Sequence, residues 1–159
     1  MKLISIFLIP LFAITGYSIN SPGSTSVKFQ ITKGFSTVTG YFKEADYKIN
    51  LNEQGISSIT GTAKVASVQT KSSLRVKHLQ KQVWFDAAKY PLITVQSREI
   101  SRQHNGSYLG TFDIKIKGKS QIKKIPFEVL TSGQKKPLQA NFTLSLADFD
   151  IGGGIVSYL

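Results

Sequence analysis

The sequence predicts an all-β fold, an antiparallel barrel or sandwich with a short helical insertion near its middle. Three observations lead there. About seven segments alternate apolar and polar residues with the period of a strand. Most are joined by short turn signals, such as Asn52 to Gly55 and Asn105-Gly106. Helical periodicity is confined to the stretch between Thr70 and Pro91, which argues against the helix-linked crossovers of a parallel sheet. Strands of about eight to ten residues favour a curled barrel over a short-stranded sandwich.

Taken in order, the chain opens with one early lysine and an apolar run from Leu3 to Ile14. The run is short of the roughly 20 residues that span a bilayer, and the compact residues Ala13, Thr15 and Gly16 stand at its end. Residues 1–16 therefore read as an export signal, residues 17–159 as the mature domain, and the location as periplasmic or secreted after cleavage. From Ser24 to Ile31 the residues Val27, Phe29 and Ile31 share one face. Val38, Gly40 and Phe42 form the next set, and Tyr47, Ile49 and Leu51 resume the alternation after an irregularity at Glu44-Ala45. Ile59, Gly61, Ala63 and Val65 follow, a face whose small members leave room for a neighbour's bulk or for a ligand. Beyond Pro91, Ile93 and Val95 belong to one strand, and Tyr108 to Ile116 alternates up to a turn or bulge at Gly118 to Gln121. Ile125, Phe127 and Val129 come next. Leu138 to Leu146 shows the most regular alternation of all.

The helical insertion covers about residues 71–88. Ser72 or Ser73 can cap it, Leu74, His78 and Leu79 fall at helical spacing, and Asp86 can cap a further turn that Tyr90-Pro91 ends.

Composition narrows the function. Among 159 residues there are 20 basic and 9 acidic ones, a net charge of +11, and no cysteine. A disulfide scaffold and a thiol nucleophile are excluded. There is no paired-carboxylate motif and no GxSxG. His78 and His104 stand alone, so the reading is a binding protein with neither catalysis nor a required metal or cofactor. The charge favours anionic partners. Lys115, Lys117 and Lys119 share an outward face that suits transient contact with an anionic membrane. Nucleic acid is disfavoured because the aromatic residues alternate inward rather than lying among the lysines.

A set of motifs gives the reading a name. The succession Arg75-Val76-Lys77-His78-Leu79, then Phe85-Asp86, then Lys89-Tyr90-Pro91 with Ile93, is quite specific. Ser26-Val27-Lys28-Phe29, Val38-Thr39-Gly40-Tyr41-Phe42 and Gly110-Thr111-Phe112-Asp113-Ile114 agree with it. Essentially from Tyr17 onward the chain resembles the YceI-like, or polyisoprenoid-binding, domain family. The resemblance implies an eight-stranded antiparallel lipocalin-like barrel, with the last strand short or missing in this chain. It also implies an apolar cavity that holds a polyisoprenoid or quinone-like lipid. The chain departs from the family pattern in having no histidine at Gly23 to Ser26 and in stopping soon after Asp148-Phe149. An open edge there would allow a homodimer.

The expected ligand walls are Phe29, Phe42, Ile59, Val65, Val95, Phe112, Ile114, Phe127, Phe142 and Leu144. Arg75 and His78, three residues apart on one side of a helical turn, are the expected head-group contacts. Trp84 is expected to plug the barrel or touch the ligand. The alternative reading is an exported basic barrel that binds membrane surfaces or a protein without an internal ligand.

Overall fold

The computed structural model describes residues 19–20, 27–33, 35–129 and 138–152. Two antiparallel sheets share one core. The larger runs β1 (Ile19–Asn20), β4 (Ala45–Asn52), β5 (Gly55–Lys64), β7 (Leu92–Arg102), β8 (Tyr108–Ile116), β9 (Lys119–Val129) and β10 (Leu138–Ala140), in that spatial order. The smaller places β3 (Ser36–Phe42) between β2 (Val27–Lys33) and β6 (Val68–Thr70). The expected export signal and the stub at Ile155 to Leu159 lie outside the described residues.

Among the described residues ten strand segments form a curled antiparallel arrangement, in which two strands bend from one sheet into the other. β3 passes into β4 through Lys43-Glu44, and β5 passes into β6 through a 3-10 turn at Val65–Ser67. Sheet corners of this kind need their broken ladder groups repaired. Ser67 does it. Its carbonyl accepts from Lys43 N at 3.1 Å, while its hydroxyl accepts from Glu44 N at 3.0 Å and donates to Lys64 O at 2.7 Å. Ser67 is 6 % exposed, a polar side chain inside the apolar core.

The alternation read from the sequence sets the faces. Val27, Phe29, Ile31, Tyr47, Ile49, Ile59, Ile114 and Phe127 all point inward and are buried. The β8–β9 hairpin differs slightly from expectation. Ile116 pairs with Lys119, so Lys117 and Gly118 form the two-residue turn, and the residues from Lys119 onward belong to the strand. Both turn residues have positive φ, 51° and 75°, which matches the twist of the flanking strands.

Two further expectations are corrected. The regular alternation of 138–146 yields strand only over Leu138–Ala140, and a 3-10 turn forms at Leu146–Phe149. Alternation requires only that one side be buried, and Leu144, Leu146, Phe149 and Ile151 are buried without a ladder. The segment is tied instead to the helical insertion, where Gly152 N donates to Val83 O at 2.9 Å. The insertion itself forms α1 (Ser73–Leu79) followed by turns. Ser72 is its N-cap, accepting from Arg75 N at 3.3 Å. Asp86 adopts a left-handed φ of 50° rather than capping with its side chain, and its carbonyl accepts from Lys89 N and Tyr90 N.

Candidate functional site

An apolar cavity of about 90 Å³ opens between the inner faces of the sheets. β5 supplies Ile59, Gly61 and Ala63, β7 supplies Ile93 and Val95, and β8 supplies Phe112. Ile125 and Phe127 come from β9, Leu138 and Ala140 from β10, Phe142 from just beyond it, and Val27 from β2 across the core. Asp46 and Thr62 border the space as well, but both are exposed residues whose alternation turns their side chains to the outer face.

The space follows from side-chain size. Tyr47, Gly61 and Val95 are opposed in register on three adjacent strands, as are Ala45, Ala63 and Ile93. Where Gly61 and Ala63 stand, the wall recedes by the volume of the side chains a strand ordinarily carries. A Cβ added at Gly61 would meet only Asp46 O at 3.7 Å and Tyr47 Cβ at 4.0 Å, so the cavity wall tolerates substitution there. Aromatic rings frame the other side. Phe112 meets Phe127 edge-on at 6.1 Å, and Tyr108 stacks on Phe127 at 5.2 Å with only 9° between ring planes. These contacts hold Phe127 in one orientation against the space.

Of the residues anticipated from sequence, Phe112, Phe127 and Phe142 line this cavity, with Ile59 and Val95. Phe29 and Phe42 do not. Their rings, 5.3 Å apart, pack against Phe85 of the insertion at 6.4 and 6.0 Å. That cluster fills its end of the barrel. Ile114 is fully buried core outside the lining. Arg75, His78 and Trp84 are also outside the lining. Arg75 is exposed, His78 and Trp84 are half-buried, and the Trp84 ring lies over Gly152, where an added Cβ would come within 3.3 Å of it. Arg75 forms no ion pair with Asp86 or Glu99 among the described residues.

Sequence reasoning missed Val27, Ile93, Ile125, Leu138 and Ala140 as cavity walls. Their inward alternation was visible, but nothing in it separates a residue that faces a void from one that faces another side chain. The glycine and alanine of β5 carried the available signal.

Electrostatics around the site are those of an outer barrel face. Arg98 Nη2 donates to Asp113 Oδ2 at 2.9 Å between β7 and β8. Lys117 Nζ donates to Asp150 O at 2.8 Å, and Lys119 pairs with the Asp150 carboxylate, so two lysines of the expected basic face hold the 3-10 turn at Leu146–Phe149 in place. Among the described residues no group of three or more histidine, aspartate or glutamate side chains is placed to hold a metal ion.

The fold is shared with solved structures. BcnA of Burkholderia cenocepacia superposes with a TM-score of 0.74 over 81% of this chain and 82% of its own, at 23% identity. A polyisoprenoid binding domain from Saccharophagus degradans gives 0.50 over 86% and 97%, at 11% identity. In sequence, a UPF0312 protein of Photorhabdus laumondii is 27% identical over 144 residues, 84% of this chain and 74% of that protein. The pattern of the YceI-like domain matches residues 17–158, and the chain belongs to the YceI-like domain family.

Proposed function

We propose that the protein binds a long apolar lipid, a polyisoprenoid or an isoprenoid quinone, by taking the end of its chain into the cavity behind Gly61 and Ala63. The carrying observation is the cavity itself, apolar throughout its side-chain lining and framed by Phe112 and Phe127. A related fold that is a polyisoprenoid binding domain supports the chemical class. A dry cavity of about 150 Å³ accepts a benzene ring, so 90 Å³ suits a branched chain end and not a whole lipid. The rest of the chain must run out through the mouth or displace side chains, and Phe142, half-buried and outside any strand, stands among the walls it would meet. Each methylene withdrawn from water contributes about 0.8 kcal/mol, so a few are enough to anchor a lipid.

Native mass spectrometry of protein expressed in bacteria, followed by organic extraction, tests the proposal. A co-purified isoprenoid, or saturable uptake of an added prenyl quinone, is the expected result. An interior that yields nothing on extraction and takes up no quinone would refute it.

A further inference from the structure

From Gln54 to Phe85 the sequence has no acidic residue. Within that stretch lie Lys71, Arg75, Lys77 and Lys81, all exposed, and none has an acidic partner among the described residues. The orientation of α1 decides what else this face carries. Leu79 is 3 % exposed and Val76 packs against the core, which fixes the buried side of the helix. Successive residues advance by about 100°, so Leu74 projects almost diametrically away from the barrel. It is 62 % exposed, and Val83, in the turns that follow, is 46 % exposed. Lys77 flanks Leu74 on the outward side.

A leucine turned straight into water contributes nothing to the core, and unpaired cations close to it along the chain repel one another. Both features become favourable against one kind of surface. At an anionic bilayer the ammonium and guanidinium groups meet lipid phosphates, while short apolar side chains reach the acyl boundary. An acidic protein would satisfy the charges but offers no general reason for two solvent-facing aliphatic residues among them.

We propose that this face docks the protein on an anionic lipid surface. Lys71, Arg75, Lys77 and Lys81 lie against the headgroups, and Leu74 and Val83 enter the acyl boundary. The surface is separate from the cavity, and its test requires no bound ligand.

The lone tryptophan, Trp84, adjoins Val83 and reports on this face. The full chain is sedimented with phosphatidylglycerol vesicles and with phosphatidylcholine vesicles, and Trp84 fluorescence is followed with brominated acyl chains. The expected result is salt-sensitive binding to phosphatidylglycerol only, with Trp84 quenched. The K77E/K81E double variant should lower partitioning by about tenfold or more, since each reversed charge removes an attraction and adds a repulsion. L74S/V83S should abolish quenching while circular dichroism stays unchanged, because both side chains are already exposed. The exposed pair K48E/K124E changes net charge equally on the larger sheet and should weaken binding far less. Three results would overturn the proposal: no binding to phosphatidylglycerol, binding that leaves Trp84 unquenched, or equal losses for K48E/K124E and K77E/K81E. Binding lost only with K48E/K124E would overturn it too.

Discussion

Phe85 is 1 % exposed and reaches from the insertion into the edge-on company of Phe29 and Phe42. Burial of that ring gives the insertion its hold on the barrel. Truncation to alanine removes the ring and leaves a cavity that aromatic neighbours on rigid strands cannot close. F85A should cost about 3–5 kcal/mol, read from the urea midpoint with an unchanged slope. A loss below about 1 kcal/mol would mean that the insertion is held elsewhere. Gly40 carries the complementary constraint. A Cβ there would stand 2.5 Å from Phe29 Cζ and 2.6 Å from Gln69 O, and the second atom belongs to backbone that has little freedom to yield. G40A should therefore destabilise by about 1–3 kcal/mol, despite the higher strand propensity of alanine, and a stabilised G40A would refute the contact. The apolar parity of Phe29 and Phe42 was legible in the sequence. Their partner was not, because Phe85 lies more than forty residues further along the chain. No local pattern states which ring fills which gap, so two side chains expected to face a ligand face a third phenylalanine.

Elements show the same division between local and distant information. The insertion is legible because its signals are local: Ser72 ahead of the helix, apolar residues at helical spacing, and Tyr90-Pro91 beyond. Its rotation is not. Arg75 and His78 share a side of α1, as their spacing required, but spacing alone does not say whether that side meets the barrel. Leu79 and Val76 take the inward positions because burying them removes more apolar surface from water, and Arg75 is carried outward. Between strands, the pairing of β7 with β8 includes the Arg98–Asp113 bridge, which accounts for a pH dependence. The Arg98 hydrogen bond, ahead of other influences, lowers the Asp113 pKa below its ordinary 3.8, and partial desolvation opposes it. A carboxylate whose folded pKa is depressed adds stability above its unfolded value, and that stability is lost as pH falls through the folded pKa. R98M should thus be less stable than the parent protein near neutral pH, with the gap closing in strong acid. The bridge is partly exposed and its contribution small, so denaturation midpoints measured in parallel across the acid range are the appropriate comparison. A gap that persists unchanged below the folded pKa would assign the loss to packing of the arginine stem instead.

At the scale of the whole molecule, the cavity and the charge lie on different parts of the fold. The interior is apolar by strand alternation, and the cations collect on the insertion and on the outer faces, with Lys117 and Lys119 committed to the chain near Asp150. On the proposed reading, ligand affinity is set by volume and apolar area inside the barrel, and charge outside it acts on the lipid surface. Gly61 allows the two to be separated. Its position on the inner face, opposite Tyr47 and Val95, leaves a new side chain free to grow into the cavity without touching any charged group. A leucine there occupies much of the 90 Å³ with atoms of the protein's own. G61L should keep or raise thermal stability, because it buries apolar surface in space that is otherwise empty and relieves the strand of a glycine. It should also abolish prenyl quinone uptake and leave partitioning onto phosphatidylglycerol vesicles at the parent value. R75A should do the reverse, weakening vesicle binding and sparing quinone uptake. The two variants, measured side by side by quinone titration and vesicle sedimentation, give a crossed pattern if the cavity receives the lipid. Undiminished quinone uptake by folded G61L would place the ligand elsewhere on the protein, since the leucine leaves too little of the space for a chain end.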